Sequence, residues 1–168
     1  METTVKFYSL EYKSIKTYIV ASFFILGNIF FPQLCHLVNL GPVLLPIYFF
    51  TLIGAYKYGW KVGLLTAILS PLINSMLFGM PAPAALPVIL SKSIILAITA
   101  GFAAQYFKRL SILLLFGVVL FSQIAGTLVE WAIINNFQSA IQDFRIGIYG
   151  MLLQIFGGFF IIKYIIKR

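Results

Sequence analysis

From residue 17 onward the chain is nearly continuous apolar sequence, broken only by short clusters of charge and by Gly/Pro turns. A membrane-spanning helix needs about 20 mostly apolar residues. The breaks divide the chain into six such runs, near 17–38, 44–57, 61–79, 84–107, 110–134 and 145–165. The second run is short. At about 1.5 Å per residue it falls short of a hydrocarbon core of about 30 Å, so it is expected to sit partly inside the bundle. Hydrophobic residues make up 61% of the 168, and charged residues only 10%. So few charges cannot cover a soluble domain without leaving large apolar patches. That excludes an ordinary soluble enzyme, a nucleic-acid-binding protein and a disordered chain. The expected fold class is an all-α integral membrane protein: one domain over residues 1–168, a bundle of six transmembrane helices behind a leader of residues 1–16.

The net charge of +8 is informative by position, because basic residues concentrate on cytoplasmic loops. Lys6, Lys13 and Lys16 precede the first run, and Lys57 and Lys61 separate the second from the third. Lys108 and Arg109 separate the fourth from the fifth, and Lys163, Lys167 and Arg168 follow at the end. On the opposite side, 39–43, 80–83 and 135–144 contain no basic residue, and Arg145 stands at the edge of the last. This asymmetry predicts both termini to be cytoplasmic. Tyr56, Tyr58, Trp60, Tyr106 and Tyr164 fall at the expected inner boundary, as an aromatic belt does. No small-residue cleavage site follows the first apolar run, so the leader does not read as a secretory signal. The single cysteine, Cys35, excludes an intramolecular disulfide.

In lipid, helices associate through close approach of small residues. Gly59, Gly63 and Ala67 recur every four residues in the third run, and Ser93, Ala97 and Gly101 do so in the fourth. Each row lies on one helix face, suited to internal packing or to a partner subunit. Pro32, Pro71 and Pro87 interrupt the outer halves of their runs. Each lacks an N–H and, within a helix, frees a carbonyl four residues back. Kinks there would splay the outer ends and open a cavity.

Polar residues gather on the same outer side. Lys92 lies within the fourth run and Glu130 near the outer end of the fifth, at similar depth and with opposite charge. Ionisable residues inside a membrane are costly and face a partner or a cavity. The two can form a structural ion pair, contact a polar ligand, or do both. Gln33, Cys35, His36 and Asn39 end the first run, Asn74 and Ser75 end the third, and Asn135, Asn136 and Gln138 follow Trp131. With aromatics such as Tyr48, Phe78 and Trp131 they outline an outward-opening pocket of apolar walls and few polar groups.

Chemistry on bound groups has little to work with. Cys35 and His36 are adjacent, about 100° apart on a helix, and do not readily converge on one ion. No H-E-x-x-H, C-x-x-C or acidic cluster completes a metal site. A metal carried inside an organic ligand would need only one axial residue. No G-x-S-x-G, P-loop or Rossmann glycine pattern is present. The expectation is therefore a non-catalytic protein with neither cofactor nor protein-bound metal.

His36 is followed by Gly41-Pro42, Leu45-Pro46, Gly54, Tyr58-Gly59-Trp60 with Gly63, Ser70-Pro71, Gly79-Met80-Pro81 and Pro87. This series, over residues 30–100, resembles the substrate-binding S components of energy-coupling factor (ECF) transporters, as do the length and six-run layout. The resemblance implies a plasma-membrane protein of bacterial type that captures a water-soluble vitamin or similar micronutrient in its outer half. It also implies partners: a transmembrane coupling subunit and two cytoplasmic ATPases, whose ATP hydrolysis topples the S component and releases the ligand inside. Family members often carry alanines four apart on the first span. Here Ala21 is followed at that spacing by Ile25, so Ala21, Ser22 and Gly27 are the expected docking surface. The start Met1-Glu2-Thr3 lacks the Met-His of nickel and cobalt S components. The expected ligand contacts are His36, Asn39, Asn74, Lys92, Glu130, Trp131 and Asn135. The ligand's identity stays open, from riboflavin and pantothenate to corrinoids. The rival reading is a small structural scaffold of the rod-shape-determining type. A stand-alone channel would need a polar path through the inner halves, which are almost wholly apolar.

Overall fold

The computed structural model describes residues 7–165, with the backbone alone for Pro42, Asp143 and Ile165. Among these residues there is no strand. Four long helices dominate: α1 (Ile15–Leu37), α4 (Trp60–Phe78), α5 (Leu86–Phe107) and α6 (Ile112–Ile134). Each is long and apolar enough to cross a membrane. Between α1 and α4 come the short α2 (Gly41–Leu44), a 3-10 turn (Pro46–Tyr48) and α3 (Phe49–Tyr58). After α6, the chain forms α7 (Phe137–Ala140) and α8 (Gln142–Ile146), then α9 (Ile148–Leu152) and α10 (Gly158–Phe160), each of the last two followed by a π-helical turn. The 137–146 and 148–164 segments meet at 53°, and together they satisfy the same length and apolarity criteria as a fifth, broken span.

The second expected run is therefore not a span in itself. Only its second half is α-helix, and α3 at ten residues rises about 15 Å. Its residues Thr51–Lys57 are buried, wedged among α1, α4 and α5. The run at 145–165 is also not one straight helix. Gly147 interrupts it, and wide turns at Leu153–Gly157 and Ile161–Ile165 unwind it locally.

The surface chemistry decides what solvent this bundle needs. Along α1, Ile15, Ile19, Phe23, Leu26, Phe30, Leu34 and Leu37 form an exposed stripe at helical spacing, whereas Thr17, Ala21, Phe24, Asn28, Pro32 and Cys35 face inward. The outside is more apolar than the inside. Phe121, Leu128, Leu113, Phe102 and Phe160 continue this exterior on other helices. Water would not tolerate such a surface, and lipid requires it.

Small residues set the closest packing. A Cβ added at Gly63 would stand 2.4 Å from Ala55 Cβ and 3.1 Å from Ala97 Cβ, and one at Gly101 would meet the Trp60 backbone at 2.5 Å. The two rows of small residues thus interlock α4 with α5, and α4 also carries α3. Gly59, at φ 100°, turns the chain from α3 to α4 in one residue, in the left-handed region that glycine occupies without strain.

The helix ends sort by charge. Lys57, Lys61, Lys108 and Arg109 share one end of the bundle with Lys13 and Lys16. Lys6, Lys167 and Arg168 lie outside the described residues. The leader is tied to this end: the Tyr8 and Leu10 N–H groups donate to the Lys57 and Tyr58 carbonyls at 3.0 and 3.1 Å, Glu11 pairs with Lys61, and Tyr8 stacks on Tyr58. The Tyr56 hydroxyl donates to the Arg109 carbonyl at 2.9 Å, joining α3 to the loop before α6.

Candidate functional site

At the end opposite the basic cluster the helices part around a cavity of about 370 Å³. Pro32, Gln33 and His36 of α1 form one wall, and Leu45–Tyr48 a second. Asn74 closes the side toward α4, while Met80, Pro81, Ala84 and Ala85 cross the mouth from the loop before α5. Val88, Ile89, Glu130 and Ile134 complete the enclosure. The lining is mostly apolar, with a few polar groups, as in sites that hold small organic molecules.

Proline sets the polar wall. Pro32 leaves the Asn28 carbonyl without its helical donor, and Asn74 Nδ2 supplies one from α4 at 2.8 Å. The same amide donates to the Ser70 carbonyl at 3.1 Å. Both of its protons are then in use, so Asn74 Oδ1 is oriented as an acceptor, and Gln33 Nε2 donates to it at 3.3 Å. Asn28 is the hub beneath. Its amide nitrogen lies 2.9 Å from Thr51 Oγ1 and 3.4 Å from Ser70 Oγ, and its Oδ1 accepts from the Phe50 N–H at 3.2 Å. One buried side chain therefore connects α1, α3 and α4.

The opposite wall carries the charge. Lys92 Nζ stands 2.5 Å from Glu130 Oε2, a contact pair rather than an aligned hydrogen bond. Lys92 is 3% exposed and Glu130 9%. Gly126 makes the reach possible, since a Cβ there would sit 2.7 Å from Lys92 Cγ. The lysine stem crosses the α6 backbone in the space a side chain would fill. Glu130 touches the cavity, and Lys92 lies behind it. Gln123 Nε2, Thr127 Oγ1 and Ser93 Oγ are buried without a hydrogen-bond partner, the first two on the Glu130 face of α6. A parallel fit occurs at the mouth, where a Cβ on Gly41 would stand 2.8 Å from the His36 ring. The imidazole lies directly over that glycine.

Of the seven expected contacts, His36, Asn74 and Glu130 line the cavity, with Lys92 directly behind Glu130. Asn39, Trp131 and Asn135 do not line it. Asn39 and Asn135 occupy left-handed positions just past α1 and α6, at φ 56° and 55°, a role asparagine fills more readily than most residues. Trp131 is one residue beyond Glu130, hence about 100° around the helix. It is 47% exposed and packs edge-on against Phe137. Gln33 and Tyr48 join the lining as direct wall residues, and the i,i+3 spacing of Gln33 and His36 was the available signal for the first.

No protein-family model matches the chain, and no curated protein or solved structure matches it either. The site therefore has to be argued from its own geometry.

Three further placements bear on function. Ala21 is buried, Ser22 is exposed and Gly27 faces the Phe50 ring at contact distance, so these three do not form one open face. Pro87 stands in the first turn of α5, where the missing N–H has no helical partner to lose, so it starts that helix instead of kinking it. Cys35 is buried while His36 faces the cavity mouth, and among the described residues no three His, Cys, Asp or Glu side chains converge on one point.

Proposed function

We propose that this chain is the substrate-binding membrane subunit of an ATP-driven importer of the ECF type, with both termini cytoplasmic and six membrane segments, the second of them made by α2, the 3-10 turn and α3 together rather than by one spanning helix. The observation that carries the reading is the cavity: a solute-sized chamber confined to the end of the bundle that lies opposite the basic residues. By the distribution of Lys and Arg that end faces outward, where an uptake protein meets its cargo. The cavity's lining does not continue into the inner half, which favours capture over free passage. These 168 residues contain no nucleotide-binding motif, so the energy for release has to come from partner ATPases acting through a coupling subunit. A bacterial plasma membrane is the setting this reading requires, and a vitamin or similar micronutrient is the cargo class.

Within the reading, Glu130, Gln33, Asn74 and His36 contact the solute, and Lys92 holds Glu130 in place. The loop 79–85 is the element placed to cover the mouth. The test is purification of the tagged full-length chain from its native membrane. Two P-loop ATPases and a membrane coupling subunit should come with it, and mass spectrometry should find a small molecule released on denaturation. Recovery of cell-wall assembly proteins instead, with no ATPase, would refute the importer reading and favour the scaffold.

A further inference from the structure

We infer that the cavity selects an uncharged, ring-sized molecule that donates hydrogen bonds toward Glu130, and that it rejects carboxylates, phosphates and ammonium groups. This inference rests on the reading of the cavity as a solute site and narrows the class of solute. Glu130 is the one charged side chain among the described residues lining the cavity. Its charge is balanced by Lys92, which does not line the cavity and lies 2.5 Å behind the carboxylate. The pair sums to zero, yet a bound molecule meets only its negative member. His36 is exposed at the mouth, where water screens it.

An anionic group entering this space is repelled by Glu130 and cannot reach Lys92, whose stem is held against Gly126. A cationic group is attracted by Glu130, but that carboxylate is already paired. The added positive charge would be buried without a counterion. Either ion loses its hydration for an incomplete replacement. A neutral N–H or O–H group adds no net charge and finds acceptors. Glu130 retains its second oxygen. Asn74 presents only Oδ1, because its amide protons go to the Asn28 and Ser70 carbonyls. Gln33, with one amide proton on Asn74, keeps its carbonyl oxygen as an acceptor and its second amide proton as a donor. The walls thus present acceptors on both sides, and the complementary solute presents donors. The volume of about 370 Å³ stands at the small end of the range of about 300–1,000 Å³ for ligand sites. The apolar remainder of the lining suits one ring system.

Three near-isosteric probes separate the possibilities: benzamide, a neutral donor; benzamidine, a cation; and benzoate, an anion. Binding of each to the full-length chain in nanodiscs is followed by saturation-transfer NMR, beside a cavity-filling Ala85→Trp variant. If A85W fails to fold, Ala84→Trp on the same loop replaces it. Benzamide should bind at least tenfold more tightly than either ion, and its signal should vanish in the filled variant. Benzoate or benzamidine binding as tightly as benzamide, and equally sensitive to A85W, would overturn the charge selection while leaving a solute site intact. If no probe shows binding that the filled variant abolishes, both the selection and the solute-site reading fail.

Discussion

The Lys92–Glu130 pair makes an asymmetric prediction. Removing one member of a buried ion pair costs about 3–5 kcal/mol, because the other is left as an uncompensated charge, whereas replacing both with apolar residues of similar volume is often close to neutral. Here the two orphans have different surroundings. In Glu130→Met, the Lys92 ammonium stays between α5 and α6 at 3% exposure, so the loss should approach the top of that range. In Lys92→Met, the orphaned Glu130 still borders a 370 Å³ cavity that admits water, which reduces the loss to about 1–3 kcal/mol. The double variant should return to within about 1 kcal/mol of the parent. The coupling would then be about 5–8 kcal/mol, above the usual range of about 0.5–3 kcal/mol for contacting residues and well above the average of about 0.6 kcal/mol for interhelical hydrogen bonds in a membrane. Unfolding by detergent titration reads this out through tryptophan fluorescence. Trp60 stacks on Phe102 at 6.2 Å and reports α4–α5 docking. Additive single losses, or a larger loss from K92M than from E130M, would show that the pair does not divide its burial in this way.

Other consequences follow from the packing and the polar wall. Gly101→Ala should lower stability by about 1–3 kcal/mol, since its Cβ would meet the Trp60 backbone at 2.5 Å; thermal inactivation in micelles measures it, and an unchanged midpoint would contradict the close α4–α5 approach. Gly126→Ala should displace the Lys92 stem and weaken the ion pair, so combined with K92M it should cost less than it does alone. Asn28→Leu should cost about 1–3 kcal/mol by leaving several buried polar partners unpaired, and should broaden the NMR signals of Asn74 and Gln33. In a Cys35→Ala background, Ser139→Cys should react with a membrane-impermeant thiol reagent added outside intact cells and Lys108→Cys should not; the reverse pattern would overturn the orientation.

Some of the architecture was legible because lipid imposes a simple rule. A run must be long and apolar, and in α1, α4, α5 and α6 the helix limits fall within a few residues of the apolar runs. The segment 44–57 obeys the same composition rule and a different geometry. Left-handed backbone at Leu45, φ 46°, ends α2 and turns the chain into the 3-10 turn that starts at Pro46. The helix that follows is too short to span and is buried on all sides. Hydropathy cannot distinguish burial by lipid from burial by protein, since both require apolar side chains. The same ambiguity hid the unwinding around Leu153–Gly157, where no proline marks the π turn.

The site divides along a similar line. Lys92 and Glu130 could be found from the sequence because an ionisable residue in an apolar run is costly and hence conspicuous. Asn74 stood out for its place after Pro71, yet its partner is the carbonyl freed by Pro32 on another helix. Asn39 and Asn135 carry the same side chain and do something else, since at the end of a helix asparagine is favoured by backbone conformation alone. Composition therefore pointed to the end of the bundle that holds the cavity and could not sort cavity-lining residues from helix caps. That sorting needs the direction in which each side chain leaves its helix. For Glu130 and Trp131, one residue apart, the difference of about 100° decides that one borders the cavity while the other belongs to the outer surface.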